Sequence, residues 1–236
     1  MVSIPEVDFS SPNAAEQLRR ACTEVGFFYL THHGVPDSLK SQVYTEMRQF
    51  FSQPLEEKQK LFAQAAGAKG HFDGPGMFDK PMTALRLLHY APEKSDVAAG
   101  VLGAGAHTDY GLITLLSTDT TGGLQIFHEG QWIDVPPRED AFVVNIGDMA
   151  ERFTNGSFKS TLHRVVNSSG KERYSVPFFY EPNFTCQVEC FPSCVSADNP
   201  PKYKSTTSGQ HLVDMYKKTH ASFEGKSPTG ADQPVA

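Results

Sequence analysis

The chain has 236 residues, 39% of them hydrophobic and 20% charged, with 21 basic against 27 acidic side chains and a formal net charge of −6. That is enough for one compact domain with a sizeable core, and the acidic balance leaves no electrostatic footprint for nucleic acid or an anionic membrane. No apolar run approaches the roughly 20 residues needed to span a bilayer, and Met1-Val2-Ser3-Ile4-Pro5 lacks signal-peptide character, so a monomeric cytoplasmic protein acting on a small molecule is expected.

A strand begins within the first eight residues. Ser11-Pro12-Asn13 then starts a helix running to about Glu24, with Leu18, Cys22 and Val25 as its apolar stripe and proline placed for the first turn. A short buried strand over 26–31 follows. Asp37-Ser38 opens a second helix in which Leu39, Val43, Met47 and Phe50 recur at helical spacing, and Pro54-Leu55-Glu56-Glu57 starts another short one.

From Leu85 to Val188 strands outnumber helices. Residues 107–116 read as one strand bounded by glycines, Glu129-Gly130 turns a hairpin between 124–127 and 132–135, and Leu162 to Val166 forms another strand. Ser168-Ser169-Gly170-Lys171 makes a turn into a return strand over 173–180, which would put 163 and 173 on one hairpin. Residues 184–195 read as strand interrupted at Pro192, where Cys186, Cys190 and Cys194, lacking a C-x-x-C pair, are expected to be free thiols. Ser208-Gly209 caps a helix to about Ser222, and 225–236 has the composition of a flexible tail. Short strands and frequent turns predict a closed or two-sheet all-β core with the N-terminal helices outside the larger sheet, sandwich and barrel being undecided by periodicity.

The chemistry-bearing residues are His107-Thr108-Asp109, His163, and Arg173-Tyr174-Ser175. Side chains two apart on a strand project to the same face, so His107 and Asp109 would point together. Two imidazoles and one carboxylate hold non-haem Fe(II) on one face and leave the other open. Each element alone has a plainer meaning. A His-x-Asp is common by chance, and Arg173 with Ser175 would suit a solvated strand face carrying a cross-strand ion pair. Taken together their roles are complementary, because a buried arginine beside a ferrous site demands an anion.

Longer stretches carry a resemblance. Ile4-Pro5-Glu6-Val7-Asp8, Gly26-Phe27-Phe28-Tyr29-Leu30, Leu85-Arg86-Leu87-Leu88-His89-Tyr90, His107-Thr108-Asp109-Tyr110-Gly111, Val144-Asn145-Ile146-Gly147-Asp148 and Ser160-Thr161-Leu162-His163-Arg164-Val165-Val166-Asn167 all take part, as does Arg173-Tyr174-Ser175-Val176-Pro177. The chain resembles the Fe(II)/2-oxoglutarate-dependent oxygenases of the isopenicillin N synthase-like group. That resemblance implies a mainly β fold, a double-stranded β-helix (jelly roll) with flanking N-terminal and C-terminal helices. It also implies Fe(II) held by His107, Asp109 and His163, and 2-oxoglutarate received by Arg173 and Ser175 with Tyr90 as an extra donor. O2 is then consumed, and a small molecule is hydroxylated or desaturated with release of succinate and CO2. His89 and Phe178 face away from this site, and Asn145 and Asp148 are read as scaffold.

The pattern divides into an N-terminal region over 1–80, a jelly-roll core with its C-terminal helix over 81–224, and the tail. Family members carry a long, largely helical segment where this chain has only residues 70–81, around Gly74-Pro75-Gly76. That shortening keeps a noncatalytic, oxygenase-derived binding module in view. A Zn-dependent hydrolase using the same three ligands is the other alternative, although it has no need of Arg173-x-Ser175.

Overall fold

Two β-sheets meet over a shared apolar core in the computed structural model, which describes residues 4–52 and 80–219. The larger sheet has seven strands in the order β1 (Glu6–Asp8), β2 (Phe27–Thr31), β9 (Phe142–Ile146), β6 (Ile113–Thr118), β11 (Arg173–Asn183) and β3 (Pro81–Leu85), with β4 (Leu88–Tyr90) also pairing β11. The smaller sheet runs β5 (Ala104–His107), β10 (His163–Val165), β7 (Leu124–His128) and β8 (Gln131–Asp134). A two-stranded ribbon, β12 (Gln187–Val188) with β13 (Thr206–Thr207), lies apart. Together these make the predicted jelly-roll architecture.

The middle of the larger sheet is covered on both faces, which is why its strands read as nearly continuous apolar runs. Phe27, Tyr29 and Val143 point inward to Leu124, Ile126 and Val165 of the smaller sheet. Their alternates Phe28, Val144 and Ile146 point outward to Ala21 and Cys22 of helix α1 (Ala14–Glu24). Each fully buried phenylalanine contributes roughly 1.5–3 kcal/mol. Helix α1 ends at Gly26, whose N–H bonds the Ala21 carbonyl at 2.8 Å with φ at +76°, a conformation that favours glycine. The helix therefore sits outside the larger sheet as expected, but Leu18 is 39% exposed, and Ala21 fills the place that periodicity gave it.

Helix α2 (Asp37–Ser52) begins where the sequence predicts and packs Val43 and Tyr44 against Tyr174 and Val176 of β11, while Leu39 faces solvent. The hairpin from β7 to β8 turns at Glu129 and Gly130, both with positive φ, as a two-residue turn requires. The stretch 85–90 is broken at Arg86-Leu87 into β3 and β4, which pair in succession with one edge of β11. Over 184–195 the predicted strand shrinks to β12 and a 3-10 turn (Pro192–Cys194), because proline cannot continue a ladder and suits the first position of a helical turn instead. A short helix α3 (Asp148–Phe153) follows β9, and α4 (Ser208–Thr219) closes the described chain. The four cysteines are free thiols.

The helix predicted to start at 54–57, the shortened stretch up to residue 79, and the tail lie outside the described residues. No helix among the described residues is long and apolar enough to cross a membrane.

Candidate metal and cosubstrate site

His107 and His163 are register partners on antiparallel β5 and β10, with ring centroids 4.3 Å apart. The sequence predicts that His107 and Asp109 share one unbent strand, and the structure corrects this. β5 ends at His107, and Asp109 belongs to the link that crosses from the smaller sheet to β6 of the larger one. Backbone bonds pin that link: Asp148 N–H to the Asp109 carbonyl at 2.8 Å, Met149 N–H to Gly111 at 2.8 Å, and Gly147 N–H to Leu112 at 3.0 Å. The Leu112 N–H donates to Glu181 Oε2 at 2.9 Å. The side chains converge because the loop is held from below, not because a strand alternates.

Hydrogen bonds decide which atoms are left for a ligand. His107 Nδ1 lies 2.7 Å from the Gly105 carbonyl and His163 Nδ1 lies 3.0 Å from the Thr161 carbonyl. A carbonyl only accepts, so both Nδ1 atoms carry a proton, and in the neutral imidazole the lone pair left for a ligand is that of Nε2. Asp109 Oδ2 accepts from Thr114 Oγ1 at 2.5 Å and from Asn145 Nδ2 at 2.7 Å. Its Oδ1 lies 3.9 Å from His107 Nε2 and 3.7 Å from His163 Nε2. One ligand atom from each of the three residues lies within 4.8 Å of the others. Burial pushes the pKa of His163 below its ordinary value against the pull of Asp109, which favours the neutral imidazole that a metal needs.

Arg173, Ser175, Pro177 and Phe179 share the inward face of β11 and line a cavity of about 390 Å³ with the triad and Tyr90. Arg173 is 1% exposed. Its Nε donates to the Gly122 carbonyl at 2.8 Å, its Nη1 to Ser175 Oγ at 3.2 Å, and its guanidinium carbon sits 4.8 Å from the ring centroid of its register partner Tyr90. Among the described residues no carboxylate pairs with it, and an uncompensated buried charge costs several kcal/mol. The donor set and this arginine therefore fit a divalent metal with a dianionic chelator beside it.

β10 and β11 are not one hairpin, as the turn at 168–171 predicts. They belong to different sheets, because Asn167 ties the connection into a corner by accepting from Gly170 N–H and donating to the Lys171 carbonyl. His89 borders the cavity but stacks its ring on Tyr174, which does not line it, and Phe178 does not line it either, as expected. A second cavity of about 420 Å³ shares His107, Asp109, Arg86 and Phe179 with the first and continues past Glu181 to Leu212 and Tyr216 of α4. Burial raises the Glu181 carboxyl to about 7, opposed by the bond from Leu112 and reinforced by the Asp109 charge.

Residues 82–182 match the 2OG-Fe(II) oxygenase superfamily, and 4–86 match the N-terminal region of non-haem dioxygenases in morphine synthesis. The chain is 30% identical over 308 residues to kihadalactone A synthase of Citrus sinensis, covering 91% of this chain and 92% of that protein. It belongs to the 2OG-Fe(II) oxygenase superfamily. It is also 50% identical over 156 residues to the 2-oxoglutarate-dependent dioxygenase citB of Monascus ruber, covering 62% of this chain and 47% of that one. A full-length Neurospora crassa protein, solved in complex with alpha-KG and thymine, superimposes with a TM-score of 0.78 at 26% identity, covering 92% of this chain and 97% of that chain. The chain is thus an oxidoreductase of the dioxygenase type that uses Fe(II), 2-oxoglutarate and O2 on a small molecule. Neither the noncatalytic module nor the hydrolase is favoured.

Proposed function

We propose that His107 Nε2, Asp109 Oδ1 and His163 Nε2 hold Fe(II) in this chain, and that Arg173 with Ser175 receives the distal carboxylate of 2-oxoglutarate. When bound, the metal and cosubstrate supply O2 activation, with 2-oxoglutarate converted to succinate and CO2 as the substrate is hydroxylated or desaturated. The protein's own residues orient. The Gly105 and Thr161 carbonyls fix the imidazole tautomers, and Thr114 and Asn145 hold Asp109 by one oxygen. The planar fork of Arg173 suits a carboxylate, and Ser175 donates beside it. Tyr90, expected as a hydrogen-bond donor, offers Arg173 the face of its ring.

One observation carries the reading: a buried arginine without an anionic partner among the described residues lines the same cavity as three converging ligand atoms. Anaerobic addition of Fe(II) and 2-oxoglutarate should produce a weak visible charge-transfer band, and aerobic incubation should yield succinate. Folded, metal-loaded protein that gives neither sinks the assignment.

The match to the Citrus protein extends over 308 positions against 236 in this chain, which supports the reading that relatives carry a segment this chain shortens. We further propose that the protein works as a monomer in the cytoplasm, the free thiols supporting the reducing compartment.

A further inference from the structure

Arg86 is the cation at this site that the chemistry above does not use. It lies in the break between β3 and β4, anchored by its backbone N–H to the Pro177 carbonyl at 3.0 Å. Arg86 lines both cavities beside His107, Asp109 and Phe179. It is exposed, and among the described residues it makes no side-chain hydrogen bond or ion pair.

Charge balance makes that notable. Fe(II) with Asp109 leaves one positive charge, Arg173 adds a second, and the two carboxylates of 2-oxoglutarate neutralise both. Arg86 is therefore left without a counter-ion when the site is filled. The second cavity, which Arg173 does not line, is walled by Phe179, Leu212, Tyr216 and Met82, flat or apolar surfaces suited to a ring. Glu181 also lines it, but this carboxylate is buried and accepts the Leu112 N–H, which commits it to the ligand loop.

Resting on the function proposed above, we propose that the second cavity takes a planar, largely apolar substrate bearing a carboxylate, and that Arg86 receives that carboxylate. A guanidinium forks onto a carboxylate with two parallel bonds and stacks on rings, so one residue sets both the charge and the orientation of such a ligand. The anion is then held at the rim, and the carbon to be oxidised is directed toward the triad.

The test uses full-length protein loaded with Zn(II), which does not turn over, and saturated with 2-oxoglutarate. Calorimetry then compares matched acids and amides: phenylacetate with phenylacetamide, 4-hydroxybenzoate with its amide, and 2-naphthoate with 2-naphthamide. At least one acid should bind about tenfold or more tightly than its amide, as expected for a charge-assisted bond. Arg86→Gln should erase that preference and Arg86→Lys should retain part of it, with 2-oxoglutarate affinity unchanged in both. The proposal is overturned if no acid outbinds its amide, if the preference survives Arg86→Gln, or if Arg86→Gln weakens 2-oxoglutarate instead. Failure of Zn(II) or 2-oxoglutarate to load, read before any probe is added, would sink the metal-site reading and this one with it. Normal loading without acid preference sinks this one alone.

Discussion

Asn145 holds Asp109 by one oxygen: its Nδ2 lies 2.7 Å from Oδ2, which leaves Oδ1 turned toward both imidazoles. Removing that donor leaves Thr114 alone on Oδ2 and loosens the carboxylate toward offering the wrong oxygen. Asn145→Ala should keep the fold and lower Fe(II) affinity by about 10–100-fold, the usual effect of losing an outer partner of a metal ligand. Competition with a calibrated chelator measures it, and an unchanged affinity would show that Thr114 alone suffices.

Asp109 and Arg173 should separate in function. Asp109→Ala should abolish metal binding, whereas Arg173→Met should keep the metal and lose 2-oxoglutarate. Because Arg173 is buried without an anionic partner among the described residues, an apolar residue of similar volume should also leave the cosubstrate-free protein equally stable or more so, by about 1–4 kcal/mol. Thermal unfolding with and without 2-oxoglutarate tests both halves. A clear fall in Tm without ligand would mean that the bonds to Gly122 and Ser175 outweigh the burial of charge.

Gly147 meets the ligand loop so closely that a Cβ there would collide with the Gly111 carbonyl. Its φ is −101°, so the constraint is space and not backbone conformation. Gly147→Ala should cost about 1–3 kcal/mol as overpacking. It should also weaken metal binding, because the Asp109 carbonyl lies only 3.0 Å from the same point. Denaturant midpoints and metal titration should move together; normal metal affinity in a destabilised variant would contradict the coupling.

His211 supplies a pH dependence. Burial, assisted by the charge of Arg152, pushes its pKa down from 6.5 to about 4. The folded state therefore keeps it neutral where the unfolded chain would protonate it. The associated stability is fully present above pH 6.5 and is lost as pH falls toward about 4, by up to roughly 3 kcal/mol. Glu181, whose pKa is raised to about 7, has the opposite sign, so the comparison must be between wild type and His211→Phe. Urea unfolding at several values between pH 7 and 4 should show a shallower decline in the variant. Parallel curves would refute the assignment.

The ligands were legible in the sequence because their spacing encodes chemistry, and the helices and hairpin because periodicity and turn residues are local. What pairs with what was not legible. Nothing local separates β10 and β11 into different sheets; Asn167 does so through bonds that form only in the folded corner. The same limit made 107–116 read as one strand, although the chain changes sheets at Asp109. Asn145 left a trace, a single polar residue in the apolar run Phe142–Ile146, where a buried amide needs partners. Arg86 lies within the resembling stretch 85–90, but an exposed arginine between two strands has no pattern that marks a role.

Two of the proposed ligands stand on the smaller sheet, the third on the crossing between sheets, and the anchor for the cosubstrate on the larger one. Loading the site consequently works as a strut between layers. Amide hydrogens of β5 and β10 should exchange more slowly once it is in place, well beyond the residues that touch it. A sheet that has folded without its companion possesses no complete binding site, so metal capture reports that both halves have come together.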